Sequence, residues 1–236
     1  MSPPRLTHCW SKWSTPRGSR TICAAPESGG SCANTGAPLA VSPQRGRSAG
    51  LGDPPLDGPA KAALVTVEHD EYGSGNPKRM HARLFADMMT ELGLGAHYGA
   101  YLDAAPAQTL AEVNFMSLCG LHRWLRGALI GQFATVELTS SPGSDRLVRA
   151  MRRLGCSPAA IEFYAEHIEA DAVHEQLVRC GVLAPLLTAE PKLAADVVFG
   201  IQASTLLAEG FSQLLLREWT RNRPTLRHPL PDAPST

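Results

Sequence analysis

The octapeptide HIEADAVH at residues 167–174 places His167, Asp171 and His174 at offsets 0, +4 and +7. At ~100° per residue in an α-helix these three side chains leave the axis within about 60° of one another. One helix face then presents two imidazoles and a carboxylate, which are residue types that hold a metal. A single histidine on a helix is ordinarily a surface group or a satisfied core group. Three ligand types in helical register are harder to bury without a cation, because each would otherwise need its own polar partner. Asp171-x-x-His174 is also the aspartate counterpart of the Glu-x-x-His pair of di-iron carboxylate bundles.

Working outward from this segment, the pattern stays helical. Ser157-Pro158 reads as an N-cap followed by Pro at the first helical position, and the helix so opened runs to Cys180 before Gly181. Upstream, Ala60–Tyr72 forms a helix with Leu64 and Val67 on one stripe and stops at Gly73-Ser74-Gly75. Asn76-Pro77 opens the next, through about Glu91, with Met80, Leu84, Met88 and Leu92 four residues apart, and Gly93 and Gly95 close it. Pro106 opens an apolar stretch to about Thr139, whose Gly120, Gly127 and Gly131 mark a bend or a close helix crossing. Ser144–Leu154 reads as a basic amphipathic helix ending at Gly155. The last helix, about Pro191 to Trp219, is the most continuously apolar and is expected in the middle of the bundle. The β-branched residues fall at helical spacing, so the fold class is an all-α bundle over 59–220.

Composition divides the chain. Residues 1–60 hold 9 of the 19 Pro, 8 of the 21 Gly and only 3 of the 22 acidic residues. A segment this poor in apolar runs cannot offset its ordering entropy by burial, so 1–58 is expected to be disordered, as is the Pro-containing tail 221–236. Over all 236 residues, 22 Lys and Arg balance 22 Asp and Glu, which gives no electrostatic footprint for nucleic acid or an anionic membrane. Residues 61–236 carry 16 basic and 19 acidic groups, a net charge of −3. The six cysteines, at 9, 23, 32, 119, 156 and 180, contain no Cys-x-x-Cys and suggest neither a disulfide framework nor a zinc ribbon. With no secretory h-region and no apolar run near ~20 residues, the expected compartment is the cytoplasm.

Further ligands are sought where a polar group is out of place. Glu137 follows GALIGQFATV, ten uncharged residues, so a helix burying that run buries the glutamate as well. His81 lies one residue from the methionine stripe. Glu71 ends the first helix, and the Gly-Ser-Gly-Asn-Pro bend between them can fold the two side chains toward a common point.

Glu71-x9-His81, Glu137 and His167-x3-Asp171-x2-His174 together resemble, in order and type, the ligand series of the heme-oxygenase-like di-iron oxidases and oxygenases. The group most similar is that of the iron-containing redox enzymes, related to the N-oxygenase domain that builds the nitrosourea of streptozotocin. The resemblance covers about 59–220 and includes EYGSG at 71–75 and HARLF at 81–85. It implies a heme-oxygenase-like bundle holding two irons, one near His81, Glu137 and His167 and the other near Glu71, Asp171 and His174. Three imidazoles and three carboxylates suit Fe(II)/Fe(III) or manganese, and two divalent irons against three carboxylates leave one net positive charge.

The function so implied is an O2-dependent non-heme di-iron oxidase or oxygenase acting on a small organic substrate by N-oxygenation, C–H oxidation or C–C cleavage. An iron-binding, non-catalytic member of the same fold is the alternative. Electrons come from a reductase, another reductant or the substrate, since no Rossmann or flavin motif occurs. No nucleic acid or membrane partner is expected, and a homodimer is compatible. Some members recruit one more carboxylate with oxygen. Glu68, three residues before Glu71, is the candidate for that catalytic role, with a solvated helix-end glutamate as the other reading. Glu209 on the last helix either pairs with an arginine or faces the substrate cavity. Trp124, Tyr164 and Phe199 read as core packing rather than electron relays. Relatives have helices upstream of the first ligand glutamate, where this chain carries its Pro/Gly/Ser-rich segment, so the bundle is expected to lack them.

Overall fold

A computed structural model describes residues 55–228, and among these no strand occurs. The helices are α1 (Gly58–Glu71), α2 (His81–Glu91), α3 (Ala107–Leu121), α4 (Arg126–Arg153), α5 (Pro158–Gln176), α6 (Ala184–Ala189) and α7 (Ala194–Thr220). The chain is all-α, as expected. The expected disorder of 1–58 and 221–236, and the expected loss of upstream helices, fall mostly outside the described residues. Residues 221–228 turn back onto the bundle, where the Arg227 amide donates to the Ala104 carbonyl at 3.0 Å.

The helix starts follow local chemistry where a side chain can cap. Ser157 Oγ accepts from the Ala160 amide at 3.2 Å and Pro158 occupies the first turn of α5, as the sequence predicts. Asn76-Pro77 behaves differently. It forms a turn in which Asn76 Oδ1 accepts from the Lys78 amide at 3.0 Å, and α2 begins only at His81. The apolar stretch 106–139 breaks at His122–Leu125, while the expected break near Ser141-Pro142 is absent and α4 runs through it. Pro142 removes one hydrogen bond to Leu138, and the turn is held from outside by Ser141 Oγ donating to the Ile168 carbonyl of α5 at 3.0 Å. Gly181 does not end the ligand helix either. Leu177–Leu183 widens into a π-helical segment that continues into α6. There a Cβ on Gly181 would meet the Ala63 Cβ at 2.7 Å, so α1 lies against this segment too closely for a side chain.

Two buried clusters flank the ligand helices. Phe85, Met88 and Met89 of α2 pack with Phe163 of α5 and Met151 of α4 on one side. Leu64 and Val67 of α1 pack with Val178, Val182, Ile130 and Val197 on the other. Helices α4 and α7 cross through glycines: a Cβ on Gly131 would lie 2.1 Å from the Val197 carbonyl oxygen, and one on Gly200 2.1 Å from that of Ala128. Close crossing is thus one of the two meanings expected of Gly127 and Gly131. Helix α7 is not central. It lies at the edge with Val198, Phe199 and Leu206 exposed, and its apolar character serves one seam against α4 and α3. Trp124 is also exposed, which corrects the expectation of core packing for it and for Phe199.

Candidate metal centre

Helices α1, α2, α4 and α5 each bring polar side chains into the space between the two apolar clusters. Glu71, His81, Glu137, His167, Asp171 and His174 are all buried, His174 completely. They form two groups whose ligand atoms lie within 4.8 Å of one another: Glu71, His81 and His167 in the first, and Glu71, Glu137, Asp171 and His174 in the second. All six sequence-predicted ligands are thus brought together. Their partition differs from the expected one, since Glu137 stands with Asp171 and His174, and Glu71 belongs to both groups.

The glutamate at the end of α1 spans the two groups with different oxygens. Glu71 Oε2 is 2.9 Å from His81 Nδ1, and Oε1 is 3.9 Å from His174 Nδ1. The bend that permits this is tight. Gly73 has φ +73°, and a Cβ on it would meet the Arg79 carbonyl carbon at 2.7 Å, so the chain folds back on itself at this point.

Two of the three imidazoles are oriented by hydrogen bonds. His167 Nδ1 donates to the Phe163 carbonyl one turn back at 2.6 Å, which leaves Nε2 as the coordinating atom. His174 Nδ1 donates to Glu137 Oε2 at 3.1 Å and lies 3.5 Å from Asp171 Oδ1. Its Nε2 donates to Asp70 Oδ2 at 3.3 Å. The sequence gives no signal for Asp70. It stands in the ionisable triplet His69-Asp70-Glu71, and nothing in that triplet sets it apart.

The electrostatics follow from crowding carboxylates in a dry space. Burial, opposed by the His174 hydrogen bond and helped by Asp171 and Glu71, pushes the Glu137 carboxyl up to about 6. Burial alone would lower His174, but its bonds to Asp171 and Glu137 and the surrounding negative charge raise the ring to about 10. Burial likewise opposes ionisation of Asp171, yet His174, His167 and the Ser140 hydroxyl hold it below the usual carboxylate range. His167 is lowered by burial and by the neighbouring His81, whose ring centroid lies 4.3 Å away.

A cation fits this donor set. Asp171 Oδ2 is buried without a hydrogen-bond partner, and the buried His81 Nδ1 is met by the Glu71 carboxylate at 2.9 Å. The orphaned carboxylate oxygen costs roughly 1–3 kcal/mol unless something binds it. Glu68 is in neither group. It is half-buried one turn before Glu71, and burial raises its carboxyl against the opposing charge of Lys61. Glu209 is exposed on α7 and outside both groups.

An all-α bundle with buried imidazoles and carboxylates converging from four helices has the donor set of the bundles that can hold a metal between their helices. Residues 46–209 match the model of the family described as iron-containing redox enzyme, and the chain belongs to that family, with its heme-oxygenase-like fold. No curated protein matches the chain. Among the described residues, no helix is long and apolar enough to cross a membrane.

Proposed function

We propose that the chain is an O2-dependent non-heme di-iron oxidase or oxygenase acting on a small organic substrate. The observation that carries this reading is the pair of ligand groups joined through Glu71, which offers three imidazoles and three carboxylates to two cations. His81 and His167 would hold one iron and Glu137, Asp171 and His174 the other, with Glu71 between them. Two irons so held supply paired one-electron redox chemistry toward O2.

The protein's own residues supply the rest. The Phe163 carbonyl fixes the His167 ring, and His174, His167 and the Ser140 hydroxyl hold Asp171 ionised against its burial. The apolar clusters on either side exclude water. Glu68, half-buried one turn before Glu71, is the carboxylate we assign to a recruitable role. A reductase or other reductant supplies electrons. The family membership and the mixed N/O donor set support this reading.

The test is anaerobic loading of the full chain with Fe(II), counting iron per chain, followed by mixing with O2. Two irons and a transient oxygen-dependent absorption band are expected. Two irons without any oxygen response favour an iron-holding, non-catalytic protein. His167→Ala and Asp171→Ala should each lose iron while keeping their helix content, and unchanged stoichiometry in both variants would refute the site.

A further inference from the structure

We propose that Asp70, held by the hydroxyl of Ser74, is a positioning residue that fixes the His174 ring with Nδ1 toward Glu137 and Asp171. The inference rests on the metal reading above and adds to it a part that lies outside the six ligands. His174 is completely buried, and its ring meets carboxylates at both nitrogens, Glu137 Oε2 at Nδ1 and Asp70 Oδ2 at Nε2. The two contacts differ in kind. Glu137 belongs to the convergent ligand group, whereas Asp70 approaches from the solvent side and is about one-third exposed. A cation taking Nδ1 requires the ring proton on Nε2, and an Asp70 oxygen stands where that proton is accepted.

The second oxygen of Asp70 is also engaged. Ser74 Oγ donates to Asp70 Oδ1 at 2.9 Å, so the carboxylate cannot rotate freely away from the ring. Ser74 makes this bond from a left-handed backbone conformation, φ 51° and ψ 38°, flanked by Gly73 and Gly75, both also at positive φ. A non-glycine residue in that region is strained, and glycine would sit there more easily. The same turn brings Glu71 to His81, so the strained serine lies in the segment that assembles both groups. Ser74, Asp70 and His174 form a line of hydrogen bonds from solvent to the carboxylate-rich group.

The experiment uses the full chain and Zn2+ alone, as a redox-silent and diamagnetic probe, titrated against a chromophoric chelator. Nitrogen-15 NMR of the loaded protein assigns the His174 tautomer. Wild type should take up two Zn2+ with the His174 proton on Nε2. Asp70→Ala should weaken one of the two binding steps by about 10- to 100-fold, leave the other unchanged and lose the single tautomer. Asp70→Asn keeps an oxygen acceptor and should fall between them. Ser74→Gly should weaken the same step while melting no lower than wild type, an outcome that a purely structural role for the serine does not produce. If Asp70→Ala does not fold, the asparagine and glycine variants carry the comparison. Unchanged binding and tautomer in the variants would overturn the role of Asp70. Equal weakening of both steps together with lost helix content would overturn it as well. Failure of wild type to bind Zn2+ would instead overturn the metal reading itself, and this proposal with it.

Discussion

Replacing Gly131 with alanine tests whether the α4–α7 crossing holds the ligand helices where they are. The added Cβ would lie 2.1 Å from the Val197 carbonyl oxygen and 3.0 Å from the Ile201 amide nitrogen, against an ordinary contact of 3.4 Å or more. Both obstacles are backbone, so no side-chain rotation relieves them and the helices must part by more than an ångström. Overpacking of this kind costs roughly 1–3 kcal/mol. The intrinsic gain of alanine over glycine in a helix returns about 1 kcal/mol, so a net loss of about 2 kcal/mol is expected at this severe approach. In a domain of this size that corresponds to a fall in melting temperature of roughly 4–8 °C. Gly210 on α7 provides the internal control, because nothing lies within 4 Å of a Cβ built there. Gly210→Ala should gain about 0.5–1 kcal/mol from propensity alone. Thermal melts followed at 222 nm on the metal-free proteins measure both. A shift of the same sign in the two variants would refute the reasoning. Glu137 lies less than two turns beyond Gly131 on α4, so Gly131→Ala should also weaken metal uptake, which Gly210→Ala should leave alone.

Two further outcomes follow from the site's charges. Glu137 is raised from 4.5 to about 6, so its penalty is absent below pH 4.5 and complete above about 6, where at about 1.4 kcal/mol per unit it reaches about 2 kcal/mol. Metal-free Glu137→Gln should therefore outlast wild type in urea at pH 7.5 and match it near pH 4.5; an equal gap at both would count against a buried, ionised Glu137. Glu68→Gln should leave iron stoichiometry intact and slow the reaction with O2, and an unaltered rate would remove Glu68 from the mechanism.

The convergence of the candidate ligands is legible because a helix converts spacing into direction. His167, Asp171 and His174 needed only one face, and GALIGQFATV needed only the rule that an apolar run carries its neighbour inside. The pairing of ligands across helices was less legible. Which group Glu137 joins depends on how far α4 is rotated against α5, and that rotation is set by Ser141 on the Ile168 carbonyl and by the glycine seam with α7. The break expected between Thr139 and Ser144 is absent for a related reason, since the Ser141 tether to α5 holds the helix through Pro142. The edge position of α7 was unreadable from its composition, because apolar residues that serve a single seam and apolar residues that fill a centre look alike. Asp70 escaped because its partner lies 104 positions away in the chain.

The two ligand groups are unequal, and the inequality bears on how the site works. The Glu71, His81 and His167 group has a single carboxylate, whereas the Glu71, Glu137, Asp171 and His174 group has three. The metal-free protein already answers this crowding with protons in both groups: His167 is lowered by burial and by His81, His81 is raised against its burial by Glu71 and Asp171, and His174 is raised to about 10 among the carboxylates. The His174 proton does part of the work of a cation, partly neutralising a cluster that burial would otherwise make costly. His174 could hold a divalent ion at Nδ1 only without the proton there, so uptake at that group would release protons and weaken as pH falls. Glu71 couples the two, because one of its oxygens faces each group and charge placed on either is felt by the other. Joining two groups of unequal charge through a shared carboxylate would place any cations they hold in different fields, so the two sites are expected to differ in affinity and in pH dependence.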